Sequence, residues 1–282
     1  MATFSEKTNK SKKGPYFKEI DGLRALAIIL VIINHFNNDL IPSGYLGVDI
    51  FFVISGFVIT SSLYQRKSKN FKEFIIEFYL RRFKRLVPAL LIFVLFVSII
   101  ICLFNPFPSV ALKTGLSSLF GISNIYLLKQ STDYFSQSTQ LNVFTHTWSL
   151  GVEEQFYLLF PFLVWFSGYG RQTKNGSRNL FLSVGALTLS SFIGFIYLYP
   201  RNQSAAYFLM PTRFWEMAAG CLLFLVFQKR ASINKFFKDK LPPLFILILI
   251  ISLMWIPNSL GLLSTITVVF LTCLLIISIK KQ

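Results

Sequence analysis

Apolar and polar stretches alternate along this chain on the scale of a membrane. Eight apolar runs, at 21–38, 45–64, 86–104, 148–167, 179–199, 212–228, 242–257 and 260–279, are separated by short polar connections. A helix needs about 20 apolar residues to cross roughly 30 Å of hydrocarbon. The pattern therefore predicts an all-α polytopic membrane protein with about eight transmembrane helices. The run near 115–128 carries Ser117, Ser118, Gly121, Ser123 and Asn124. It makes a poor span, and is expected to dip into the membrane or lie on its surface within a long outer segment, 105–147.

Basic residues orient these spans. With the amino terminus inside, the inner segments hold five (tail), eight (65–85), three (168–178), five (229–241) and two (the end), while the outer loops hold Lys113, Lys129 and Arg201. The expected organisation is a cytoplasmic basic tail, 1–20, and one transmembrane domain, 21–282. The net charge of +16 raises nucleic acid as a partner, but the charges lie in short loops between apolar runs, which argues against it. At 54% hydrophobic with 32 Phe, the composition is that of a bilayer-embedded chain. Cys102, Cys221 and Cys273 all fall inside apolar runs and give no metal or disulfide signature. The first run lacks a small-residue cleavage site and reads as a retained span.

The candidate chemistry starts in that first span. Arg24 and His35 are eleven residues apart, three helical turns, so they share a face about 16 Å apart along the axis. Ionisable groups inside a span face protein or a wet cavity. The expectation is a polar cavity around which the other spans pack. In the second run, Gly47 and Gly56 allow close helix contact, Asp49 is an acid near the outer end, and Ser55 is a hydroxyl near the middle. Arg82 and Arg85, spaced i and i+3, present two guanidinium forks on one inner face, suited to phosphates or to anionic lipid. Glu153 and Glu154 point about 100° apart, so at most one faces a cavity squarely. Trp148 and Tyr157 fit interface aromatics, and His146 reads as a surface histidine. Arg213 and Glu216, at i and i+3, read as a mutually neutralising pair.

Five stretches together resemble one family. They are Asp21-Gly22-Leu23-Arg24 with His35 after it, Gly47-Val48-Asp49-Ile50-Phe51-Phe52-Val53-Ile54-Ser55-Gly56-Phe57, Arg82-Phe83-Lys84-Arg85, Trp148-Ser149-Leu150-Gly151-Val152-Glu153-Glu154-Gln155-Phe156-Tyr157 and Arg213-Phe214-Trp215-Glu216. In this order they are similar to the membrane-bound acyltransferase-3 family of bacterial O-acyltransferases. The resemblance covers roughly 16–225.

The resemblance implies a multi-pass enzyme of the bacterial inner (cytoplasmic) membrane with its amino terminus in the cytoplasm. It would take an acyl group, usually acetyl, from cytoplasmic acyl-coenzyme A (acetyl-CoA). The acceptor would be a hydroxyl of a lipid-linked or surface glycan, a lipopolysaccharide O-antigen for example. His35 and Arg24 are then the essential pair, with Glu153 or Glu154 as the acid. Arg82 and Arg85 serve the coenzyme A side. Asp49, Ser55, Trp148, Ser149, Arg213 and Glu216 support the cavity, and no metal is involved.

Family members usually continue for two more helices, so the resemblance leaves a shortened member, a fragment or a product of early termination as readings, with an inactive truncated member as an alternative function. The residues by themselves leave two further readings: a transporter or flippase of a lipid-linked or acyl substrate, and a scaffold in which Arg24 pairs with a carboxylate. No internal repeat of the transporter kind is visible in the sequence.

Overall fold

A computed structural model describes residues 18–64, 68, 70–132, 142–229 and 242–279. Most of the basic tail, the 229–241 connection beyond Lys229, and the middle of the 105–147 segment lie outside the described residues. The described residues are helical, with no strand among them. In order come α1 (Lys18–Phe36), α2 (Gly47–Tyr64), α3 (Phe71–Phe104), α4 (Ser109–Leu119), α5 (Ser123–Thr132) and α6 (Thr147–Phe166). Then follow α7 (Gly176–Leu198), α8 (Gln203–Phe208), α9 (Met210–Lys229), α10 (Pro243–Leu253) and α11 (Gly261–Ile279).

Each of the eight apolar runs is helical, but the expected count of eight spans is met only in part. Five segments are long and apolar enough to cross a membrane: 44–64, 71–104, 176–198, 210–228 and 261–279. The others fall short for different reasons. Glu19, Asp21 and Arg24 crowd the start of α1, and Glu153-Glu154-Gln155 interrupt α6. The 11 residues of α10 rise only about 16 Å, half a hydrocarbon core. The chain is a multi-pass membrane protein. The third expected span, 86–104, is the second half of the 34-residue α3, so Arg81, Arg82, Lys84 and Arg85 sit in mid-helix rather than in a loop.

The packing centres on α2. In its apolar window α2 is 83% buried, against 17% for α3. The reason lies in small residues. A Cβ at Gly56 would strike the Met217 carbonyl of α9, and one at Gly220 would strike the Val53 carbonyl of α2. The two backbones touch at reciprocal glycines, the close approach that substitutes for a hydrophobic drive between helices in lipid. Gly47 does the same against the Ala27 carbonyl of α1. In contrast, α1 buries Ile20, Leu23, Ala27 and Leu30 and exposes Ile28, Ile29, Ile32 and Phe36. The connection before α2 is pinned across the bundle: Ser43 donates its N–H to Met254 O (2.9 Å) and its hydroxyl to Ile256 O (2.7 Å).

The weak 115–128 run folds as a helical hairpin, α4–α5. Its polar residues are latches. Ser123 Oγ donates to Thr147 O (2.8 Å), Asn124 Nδ2 to Phe208 O (2.9 Å), and Asn142 Nδ2 to Thr114 Oγ1 (2.7 Å). Polarity that argued against a span is what ties the hairpin to α6 and α8.

Candidate active site

One cleft of about 490 Å³ opens between α1, α2 and α6. Ala27, Ile28, Val31 and Ile32 of α1 face Gly47, Val48 and Phe51 of α2. At its mouth stand three polar side chains, His35, His146 and Ser149. The wall of this cleft is therefore mostly apolar, and most charged residues of the spans lie outside its lining.

His35 ends α1, exposed to the cleft. Its Nδ1 lies 2.9 Å from Val31 O. A carbonyl only accepts, so Nδ1 carries a proton, and in the neutral ring the lone pair is on Nε2. Arg24 is on the same face three turns earlier but does not line the cleft. Its Nη1 is 3.4 Å from Asp21 Oδ1, one turn back.

His146 is the residue that sequence reasoning set aside. It precedes α6, is open to the cleft, and packs edge-on against Phe93 of α3 at 5.3 Å between ring centres. The protein crowded around the ring, and then the neighbouring His35, hold its proton affinity below the ordinary value of 6.5. Ser149, one turn on, donates its hydroxyl to His146 O at 3.3 Å. A signal for this pairing was present in the topology: the end of the first span and the start of the fourth lie on the same side.

The expected Arg213–Glu216 pair exists, Nη1 to Oε1 at 2.6 Å, but it has a third member. Asp49 Oδ1 of α2 meets Arg213 Nη2 at 2.7 Å, and all three groups are buried. The guanidinium sits among the rings of Tyr207, Trp148, Phe52 and Phe195, at 5.2–5.9 Å. This cluster sits beside the α2–α9 crossing and apart from the cleft lining.

Glu153 and Glu154 part as their 100° separation requires. Glu153 is buried and accepts a hydrogen bond from Tyr157 OH. Glu154 packs over Gly121, whose φ of 67° makes the α4–α5 turn. Gln155 donates to the carbonyl of that same glycine at 2.9 Å. Ser55 is buried beside Tyr157. The Arg82 guanidinium lies over the Tyr157 ring, 4.5 Å from its centre, so cation–π contact holds it while its fork stays half-exposed. Arg85 is exposed on the same helical face. Tyr157 is ten residues from the start of α6, so this arginine is about 15 Å along that helix from the cleft mouth. Among the described residues no group of three metal-ligating side chains occurs.

Comparison with known proteins gives this arrangement a family. The family model described as an acyltransferase domain, of the acyltransferase-3 type, matches residues 17–279. The chain belongs to the acyltransferase-3 family.

Among its relatives, the O-acetyltransferase OatA of Staphylococcus aureus (strain NCTC 8325 / PS 47) is 37% identical over 225 residues, 78% of this chain and 37% of that protein. The peptidoglycan O-acetyltransferase OatA of Listeria monocytogenes is 36% identical over 222 residues, 78% of this chain and 35% of that protein. The chain thus spans about a third of the length of the curated relatives it matches. No solved structure matches it. Of the residues that carry the family resemblance, the structure puts His35 and Ser149 in the cleft, where His146 from outside those stretches joins them, Asp49 with Arg213, Glu216 and Trp148, and Glu153 with Tyr157, Ser55 and Arg82.

Proposed function

We propose that this protein is a membrane O-acyltransferase. It takes an acyl group, acetyl by analogy with its relatives' names, from cytoplasmic acyl-coenzyme A and passes it to a glycan hydroxyl on the other side. The observation that carries the reading is the cleft: an imidazole with a fixed tautomer and a free Nε2 at the mouth of an apolar-walled space of about 490 Å³. Such a nitrogen is equipped to take the proton of an attacking hydroxyl or to attack a thioester itself. The Listeria relative is named for peptidoglycan, which favours peptidoglycan over an O-antigen as acceptor. The basic-residue distribution favours a cytoplasmic amino terminus in the cytoplasmic membrane.

On this reading Arg82 and Arg85 receive the nucleotide phosphates of the donor, the first already oriented by Tyr157. The pantetheine arm then runs from there along α6 towards the cleft. Arg24, held by Asp21, stabilises charge or orients the donor below His35. The test is acyl transfer from labelled acetyl-coenzyme A to peptidoglycan strands by membranes containing the chain. His35→Ala and His35→Gln should each abolish transfer while inserting normally. Near wild-type transfer by a well-inserted His35→Gln protein would remove both the base and the carrier role from this residue.

A further inference from the structure

Both histidines of the chain end up at the mouth of one cleft, although 111 positions separate His35 from His146. They arrive from different helices and in different states. His35 is fixed through Nδ1 to its own helix, and its Nε2 is left as a directed nucleophile. No hydrogen bond to the His146 ring nitrogens is made among the described residues, so that ring is free to exchange a proton with a ligand. The elements around it bring no carboxylate to it: α2 presents Gly47, Val48 and Phe51, α3 presents Phe93, and α6 presents Ser149. Asp49 points away into the Arg213 cluster. His35 is the one titratable neighbour among the lining residues.

Resting on the acyltransferase reading, we infer that the two histidines divide the reaction: His35 carries the acyl group, and His146 is the base that deprotonates the acceptor hydroxyl. In the first step His35 Nε2 bonds to the thioester carbonyl carbon, the C–S bond breaks, and coenzyme A leaves as thiolate. The acylated ring, still protonated at Nδ1, is a cationic acylimidazole. In the second step the acceptor oxygen bonds to the acyl carbon as His146 takes its proton. The C–N bond breaks and returns the electron pair to Nε2. His146 then gives its proton to solvent, which replaces the one taken up by the thiolate. A base for this work has to be neutral at working pH, and the crowding of His146 by protein and by His35 favours the neutral ring.

The experiment uses membranes carrying the whole chain, acetyl-coenzyme A labelled in the acetyl group, and peptidoglycan strands as acceptor. His146→Gln should lose 10²–10⁴-fold in steady transfer, the usual range for general-base catalysis. It should nevertheless release about one equivalent of coenzyme A and trap label on the His35 peptide, labile to hydroxylamine. In His146→Ala, added imidazole should restore turnover. Transfer by His146→Gln within a few-fold of wild type would overturn the division, as would loss of transfer with neither trapped label nor imidazole rescue. Wild-type membranes that take no label from the donor at all would instead sink the acyltransferase reading itself.

Discussion

Removing Arg213 tests the buried cluster most directly. The guanidinium and its two carboxylate partners are 0–2% exposed, with contacts of 2.6 and 2.7 Å. One cation faces two potential anions, so Arg213→Met leaves Asp49 and Glu216 side by side without a counter-charge. Breaking a buried ion pair by deleting one partner costs about 3–5 kcal/mol, because the survivor is stranded in a medium of low dielectric. At roughly 2–4 °C per kcal/mol for a chain of this size, the melting temperature should fall by about 6–20 °C. Asp49→Asn should cost at most about a quarter of that shift, since Glu216 still neutralises Arg213 and the excess negative charge is gone. The assay is thermal unfolding of detergent-solubilised protein followed by tryptophan fluorescence, with Trp148 in contact with the guanidinium as a local reporter. An Arg213→Met protein melting within about 2 °C of wild type would refute the view that this cluster holds α2 to α9.

Other outcomes follow from single contacts. Arg82→Ala and Arg85→Ala should each weaken donor use by about 1.5–3 kcal/mol, read as KM for acetyl-coenzyme A. Lysine should rescue Arg82 only partly, since it supplies a point charge in place of a stacked fork; normal donor affinity in the double alanine variant would reassign both residues to lipid. Gly56→Ala should cost roughly 1–3 kcal/mol because the added Cβ meets Met217 backbone, whereas Gly185→Ala, with nothing within 4 Å, should be neutral in the same melting assay. In protein already acylated on His35, delivery to the acceptor should persist below pH 6.5, because that step depends on neutral His146. Burial, and then His35, lower the proton affinity of His146, so the neutral base survives to lower pH than a free imidazole would. An acidic limb centred above 6.5 would contradict this. A cysteine at position 174 should be shielded from an impermeant outside label and one at position 138 should react, as the basic-residue distribution requires.

The sequence alone determined what depends on local periodicity and composition. Apolar runs of membrane length made the fold all-helical and multi-pass, and five motifs in order pointed to the acyltransferase-3 family. The i, i+3 spacing brought Arg213 to Glu216 and put Arg82 and Arg85 on one face, and the 100° step separated Glu153 from Glu154. The count of spans was less legible, because length and charge pull against each other in α1, α6 and α10.

Only the tertiary structure decided which helices meet. Asp49 joined Arg213 across the α2–α9 crossing, His146 joined His35 from the start of α6, and Arg82 settled on Tyr157. His35 came to line a largely apolar cleft while Arg24 stayed with Asp21, and the buried charges of α2 and α9 gathered in a cluster outside that lining. The physical reason is that hydrophobicity puts helices into a bilayer without choosing their neighbours. That choice is made where glycines let two backbones touch and where a buried charge finds its partner, and both are contacts between residues far apart in the chain.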